Sequence, residues 1–484
     1  MNLAEYAGYD ALGLAQLVRE RQVTPKELAT LALQAIERLN PELNAVIAPI
    51  DDWEARFAGQ PADGPFYGVP FLIKDLVLHL KGVPCDMGSR LVKGHFVSPH
   101  DTDLAARFLR AGVVPLGRTN TPEMGFNANT EPVVYGSTRN PWDPTRSAGG
   151  SSGGSAVAVA SGIVPIAHAN DGGGSIRIPA ANCGLVGLKP TRGRTPVGPE
   201  FGEPLHGMGI EHVVSRTVRD TAAMLDAVEG PGIGDRFEIP RPERPYLEEV
   251  SREPRGLKIA ISNEGMMNAV VDPECQRAID AAGKLCESLG HHVELASPEY
   301  DESLFHQANF VYWCGFLAGG VAMASQVMGL SPSPENLEAG TWACFQQGAS
   351  FKLLDLEMAD ALTNLVCRSV APFFERYDVL LTPVLATPPL PLGVLNQNDP
   401  SRDARQFYDF IFGHAPFTAL YNMTGQPGIS LPLHQTAGGL PVGVQFVSRF
   451  GAEATLLRLA GQLERAAPWA SRRPPVHLAA RQPA

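Results

Sequence analysis

The sequence predicts an α/β fold, a β-sheet covered by helices on both faces. Three observations predict it. Strand-like and helix-like segments alternate along the chain. The 484 residues, 44% hydrophobic and 19% charged, are enough for a large core. The 49 glycines and 42 prolines cluster in particular loops and form no long low-complexity tract, so the chain does not read as disordered.

The elements follow in order. Thr24-Pro25-Lys26-Glu27 opens a helix: Thr24 caps it, Pro25 suits the first turn and Glu27 completes a capping box. Leu28, Leu31, Leu33, Ile36 and Leu39 continue it as an apolar stripe. Gly68 to Ile73 is a loop entering a buried strand that ends at Lys74. Asp103 to Ala111 is a short helix and Val113 to Leu116 a strand. Ala156 to Asn170 gives a small-residue helix and then a strand. Beyond these come a strand at Leu257 to Ser262, a helix at Pro273 to Leu289 and a strand at Val293 to Leu295. Val379 to Leu381 and Val442 to Val447 are β-rich, and Glu453 to Leu463 is a closing helix. The weakest boundary is the Pro-rich stretch Gly230 to Pro245, read as a surface loop. The whole of 1–484 is therefore taken as a single domain, with a core at about 66–230 and a later part at about 246–484.

Charge and composition exclude several classes. The net charge is −12 and no Lys/Arg-rich run occurs, so neither nucleic acid nor an anionic membrane is an expected partner. The longest apolar stretch, Phe316 to Leu330, is about 15 residues, short of the ~20 that span a bilayer. The start, Met1 to Asp10, does not read as a signal peptide. The seven cysteines are scattered without a Cys-x-x-Cys pair, which argues against a disulfide framework and a structural zinc, and a reducing cytoplasm is expected.

Two glycine-rich loops carry serines: Ser147 to Ser155, and Asp171-Gly172-Gly173-Gly174-Ser175. Consecutive glycines let several backbone N–H groups converge on one anion, which suits an oxyanion hole beside a hydroxyl nucleophile. Phosphate binding is the alternative, but no G-x-x-x-x-G-K-[ST] pattern is present. Gly149-Gly150-Ser151-Ser152-Gly153 formally matches the G-x-S-x-G elbow of an α/β-hydrolase, which would need a catalytic histidine later in the chain. Lys74 ends an apolar run. Buried there, it would lose its proton more readily, and a neutral lysine is a general base that needs no histidine.

Together these segments resemble the amidase signature family. The resemblance is carried by Gly149 to Ser155, Asn170 to Ala180 and Gly184 to Arg194, and it continues through Gly68 to Asp75, Gly117 to Met124, Thr424 to Pro427 and Gly439 to Gln445. It implies a large mixed, twisted sheet with helices on both faces. It also implies roles: Ser175 as nucleophile, Ser151 as bridging serine after a cis peptide at Gly150–Ser151, and Lys74 as base. The amides of Gly172, Gly173, Gly174 and Ser175 would form the oxyanion hole. Ser152 would support the site, and an Asp171–Arg177 ion pair would hold the loop.

Within the family the chain looks like bacterial amidases of the 6-aminohexanoate-cyclic-dimer hydrolase type. The cues are Pro122 to Gly125, Thr138 to Trp142, Arg192 to Arg194, Trp313-Cys314 in a long helix, and Pro468-Trp469 to Pro474. Phe126 stands where those relatives carry a polar residue, with Asn127 beside it. Met124, Phe126, Asn127 and Cys314 are the expected pocket residues. The implied activity is hydrolysis of a small linear or cyclic amide, with carbamate or ester side activity and no metal or cofactor; a homodimer is the expectation only from the general frequency of twofold oligomers. Two alternatives share this core: a component like the amidase-fold subunit of the glutamyl-tRNA amidotransferase, and a catalytically silent binding protein.

Overall fold

The computed structural model describes residues 1–480. Its centre is an 11-stranded mixed sheet. In chain order its strands are β1 (Val46–Pro49), β2 (Pro70–Lys74) and β3 (Val114–Thr119), then, after a separate hairpin of β4 (Arg139–Asn140) and β5 (Asp143–Ser147), β6 (Ile166–Asp171), β7 (Val186–Lys189) and β8 (Ile210–Ser215). The second half adds β9 (Lys258–Ile261), β10 (His292–Leu295), β11 (Val379–Pro383), β12 (Gly428–Gln435) and β13 (Pro441–Ser448). The spatial order is β1-β3-β2-β6-β8-β7-β12-β13-β11-β9-β10. Pairing is parallel for β3–β2–β6 and for β11–β9–β10, and antiparallel across the middle.

Helices cover both faces, and side-chain alternation shows it. In β11, Val379 and Leu381 join one apolar cluster with the helices Val218–Val228, Pro273–Ser288 and Glu453–Ala466. Leu380, between them, points the other way, into a cluster with the helices Glu302–Met328, Leu353–Val370 and Ala404–His414. A third cluster packs the N-terminal helices, including Pro25–Leu43, on β2, β3 and β6. The capping box at Thr24 and Glu27 is present.

The elements read from the sequence fall within a few residues of their observed bounds. The small-residue helix begins earlier, at Gly153, and Thr424 to Pro427 is the connection into β12. Residues 229–245 contain no helix or strand, and strands from both sides of that stretch share the one sheet. Most of the apolar run from Phe316, up to Met328, lies in a 27-residue helix, Glu302–Met328, which by length and hydropathy is apolar enough to cross a membrane. Here its Phe305, Tyr312, Trp313, Leu317 and Val321 side chains are buried in the helical layer.

Candidate active site

The site forms at the carboxyl ends of β2 and β6, which run parallel, so that the last residue of one and the loop after the other lie at the same edge. Lys74 is the last residue of β2 and is fully buried. Its Nζ donates to Ser151 Oγ at 2.7 Å and to Asn170 Oδ1 at 2.5 Å. Burial pushes the Lys74 pKa down to about 7, against the partial opposition of the negative Glu211 and Asp171. Near neutral pH much of this amine is therefore uncharged and able to accept a proton.

Ser151 lies in the loop between β5 and the helix Gly153–Ala160, and the Gly150–Ser151 peptide bond is cis. A Cβ on Gly150 would sit 2.1 Å from the Asn129 carbonyl oxygen, so only glycine fits. Ser152 ties this loop to β6: its hydroxyl donates to the Asn170 carbonyl at 3.2 Å and accepts the Asn170 N–H at 3.3 Å. The Ser151 hydroxyl meets a lysine, not a histidine, which removes the basis for the nucleophile-elbow alternative.

Ser175 lies between β6 and the helix Arg177–Cys183. The intervening loop is wrapped around the Asp171 carboxylate, which accepts the N–H groups of Gly174 (2.7 Å), Ile176 (3.1 Å) and Arg177 (3.4 Å). The Gly174 amide is thus committed to Asp171, and Gly174 leaves the expected oxyanion set for that reason. The N–H groups of Gly172, Gly173 and Ser175, by contrast, have no hydrogen-bond partner among the described residues. Gly172, Gly173 and Ser175 line the cavities that border this serine, whose hydroxyl also makes no hydrogen bond among the described residues. Gly174 is still required: its φ is +140°, and a Cβ there would lie 2.4 Å from Thr418 Oγ1.

The expected Asp171–Arg177 pair is present at 2.9 Å, and both residues are fully buried. Burial alone would raise the Asp171 pKa. The adjacent Arg177 charge and its hydrogen bonds outweigh that effect and hold the carboxyl well below the usual range. Arg177 spends its remaining donors on the Thr418 carbonyl, Gln445 Oε1 and Asn422 Oδ1 at 2.6–2.9 Å. The C-terminal part of the chain thereby clamps the loop.

Two cavities meet at Ser175. One, narrow and with room for about 40 Å³, is lined by Met124, Ser151, Asn170, Leu205, Glu211 and Phe316 among others. The other, narrower still at about 20 Å³, is lined by Phe126, Asn127, Ala128, Ile178, Ile411 and Phe412. Gly125, Ser175 and Trp313 border both. Larger cavities occur elsewhere, among them one at the ends of β9 and β11, which shares no residue with either. Of the expected pocket residues, Met124, Phe126 and Asn127 line these walls. Cys314 does not. A step of one residue turns a helix by about 100°, so Trp313 faces Ser175 while Cys314 is buried against Cys344 in the helical layer. Asn170, Trp313, Phe412 and Asn422 are not marked out as site residues by the sequence. For Asn170 a signal exists, a polar residue at a buried strand end beside Asp171.

Comparison with known proteins agrees with this architecture. The Amidase family model matches residues 27–457. The 6-aminohexanoate-cyclic-dimer hydrolase of Paenarthrobacter ureafaciens is 37% identical, over 96% of each chain. A solved structure of 6-aminohexanoate cyclic dimer hydrolase complexed with substrate superposes with a TM-score of 0.91 at 34% identity, covering 97% of this chain and 99% of that one. A bacterial aryl acylamidase of the amidase signature family gives 0.86 at 27% identity, covering 98% and 99%. Fold and relatives together define a hydrolase of amide carbon–nitrogen bonds. The chain belongs to the amidase signature family.

Proposed function

We propose that the enzyme cleaves a small linear or cyclic amide through an acyl-enzyme on Ser175, with Lys74 and Ser151 carrying the proton. The observation that carries this is the fully buried 2.7 Å contact between Lys74 Nζ and Ser151 Oγ, on an amine whose pKa is lowered to about 7. Neutral Lys74 takes the Ser151 proton as Ser151 takes that of Ser175. Ser175 Oγ attacks the carbonyl carbon, and the free N–H groups of Gly172, Gly173 and Ser175 hold the oxyanion. Ser151 then protonates the departing nitrogen, and water releases the acyl group by the reverse relay.

Because Ser151 delivers that proton, the amine leaves on the Ser151 side. The acyl group therefore occupies the other cavity, walled by Phe126, Ile178, Trp313, Ile411 and Phe412. No charged side chain among the described residues lines it. This favours an uncharged acyl group over one that brings an ammonium and a carboxylate into that wall, as an amino-acid amide would. Carbamates and esters of the same shape are the expected side substrates. The retained Lys74, Ser151 and Ser175 argue against a silent binding protein.

The test is a panel of amides, lactams and carbamates with the purified chain, alongside labelling by a serine-reactive fluorophosphonate. Ser175→Ala should lose both turnover and labelling, and Ser151→Ala should be severely slowed. A Lys74→Ala enzyme with unimpaired turnover would end the relay model.

A further inference from the structure

On the Ser151 side of Ser175, one carboxylate besides Asp171 lines the cavity wall, that of Glu211. Strand register puts it there. Glu211 on β8 pairs with Asn170 on β6, so Glu211, Asn170 and His168 share one face of the sheet. The Lys74 backbone N–H donates to His168 Nδ1 at 3.2 Å, which leaves Nε2 as the protonated ring nitrogen. Nε2 lies 3.3 Å from Glu211 Oε2 and donates to it. One carboxylate oxygen is thus anchored. The other, Oε1, is buried and has no hydrogen-bond partner among the described residues. Glu211 is only 3% exposed, so solvent does little to satisfy that oxygen.

We propose that Glu211 Oε1 accepts an N–H of the departing amine, so that the enzyme selects amides whose nitrogen bears hydrogen over tertiary amides and esters of the same acyl group. This deepens the acyl-enzyme reading above and rests on it. In the tetrahedral intermediate the nitrogen gains a proton from Ser151 and becomes cationic. The C–N bond then breaks with its electron pair passing to nitrogen, the oxyanion re-forms the carbonyl, and the protonated Lys74 returns a proton to Ser151. Glu211 Oε1 accepts the hydrogen the nitrogen already carried, a directed charge-assisted hydrogen bond that strengthens as the nitrogen turns cationic, whereas a tertiary nitrogen has only the hydrogen that Ser151 supplies and none to offer Glu211. An ester oxygen has no hydrogen to offer and gains nothing from it.

The experiment uses one acyl group presented as a secondary amide, a tertiary amide and an ester, with wild type and Glu211→Gln. In the variant the His168 N–H holds the amide oxygen on its own side, so the NH₂ group faces the cavity and meets the departing N–H as a second donor. The expected result is a fall of about ten- to a hundredfold in kcat/KM for the secondary amide, the size of one charge-assisted hydrogen bond. The ester and tertiary amide should fall much less, so that the secondary-amide preference collapses. Equal losses on all three substrates, with fluorophosphonate labelling of Ser175 slowed in step, would mean that Glu211 acts only through His168 and Lys74, and would overturn the proposal. So would an unchanged secondary-amide rate. Wild type gives a reading independent of the variant's folding: no preference for secondary over tertiary amide, after correction for their alkaline hydrolysis rates, also overturns it. A wild-type chain that neither labels nor hydrolyses any of the three would instead defeat the underlying amidase mechanism.

Discussion

The Asp171 carboxylate and the Arg177 guanidinium meet at 2.9 Å with neither residue reaching solvent. The carboxylate also collects three backbone N–H groups of the loop, and in doing so leaves those of Gly172, Gly173 and Ser175 unspent. Asp171→Asn keeps the shape but leaves Arg177 as an uncompensated buried charge. Removing one partner of such a pair costs about 3–5 kcal/mol. The expected outcome is a lower urea midpoint together with slower fluorophosphonate labelling. A variant as stable as wild type would show that the pair does not hold the loop.

The pH dependence follows from Lys74. Its folded pKa is lowered, to about 7, because burial disfavours the ammonium. In the proposed relay the neutral form is the base, so activity is expected to rise with pH through about 7 and level off above it. Below that value kcat/KM should fall about tenfold per pH unit, as the neutral fraction does. A profile flat from pH 5 to 9 contradicts Lys74 as the base. Lys74→Ala should lose about 10²–10⁴ in kcat, the usual worth of a general base.

Much of this was legible because its cause is local. Lys74 closes an apolar run, and a lysine at a buried strand end points either to a partner or to a lowered pKa. Asp171 to Ser175 needs its glycines for a tight, donor-rich turn. What could not be read depends on contacts between residues far apart in the chain. Thr418, Asn422 and Gln445 reach Arg177 from 241 to 268 positions away. Glu211 meets Asn170 only through the β6–β8 register. Phe412 and Trp313 come from separate helices of the layer over the loop. The choice of Cys314 over Trp313 failed because a sequence does not reveal which face of a nearly all-apolar helix is turned to the site. The choice of Gly174 as an oxyanion donor failed because the carboxylate three residues earlier takes its N–H.

Gly173 and Gly174 should respond differently to alanine. At Gly174 a Cβ would lie 2.4 Å from Thr418 Oγ1 and 2.7 Å from Ile178 Cδ1, at φ +140°. Thr418 cannot easily move, because its hydroxyl donates to the Gly173 carbonyl at 2.5 Å. Gly174→Ala should therefore cost about 1–3 kcal/mol and disorder the donors next to it, with a loss in kcat of about 10² or more. At Gly173 the nearest atom is a Phe412 ring carbon at 3.4 Å, an ordinary contact, and no positive φ is involved. Gly173→Ala should stay within about 1 kcal/mol of wild-type stability. Thermal melts and single-turnover kinetics on the two variants decide the matter, and equal melting temperatures would refute the steric account.

The acyl wall sets the last prediction. Phe126 stacks on Trp313 with centroids 4.3 Å apart and planes 11° from parallel, and its ring edge meets Phe407 at 5.6 Å. Phe126→Ala removes a buried ring at about 3–5 kcal/mol in stability, so the variant needs assay well below its melting temperature. The space released lies beside Ala128 and Ile178, on the acyl side of Ser175. Each methylene newly buried there contributes about 0.8 kcal/mol. An acyl chain two carbons longer should accordingly gain about ten- to twentyfold in kcat/KM relative to the shorter one. Amides that differ only in the amine should show no such change, because the proposed mechanism assigns that group to the Ser151 side. Cys314→Ala is the control: its thiol lies in the helical layer outside both cavities, so the chain-length ratio should stay at its wild-type value. If Phe126→Ala instead altered the amine preference and left the acyl preference intact, the two sides of Ser175 would have to be exchanged.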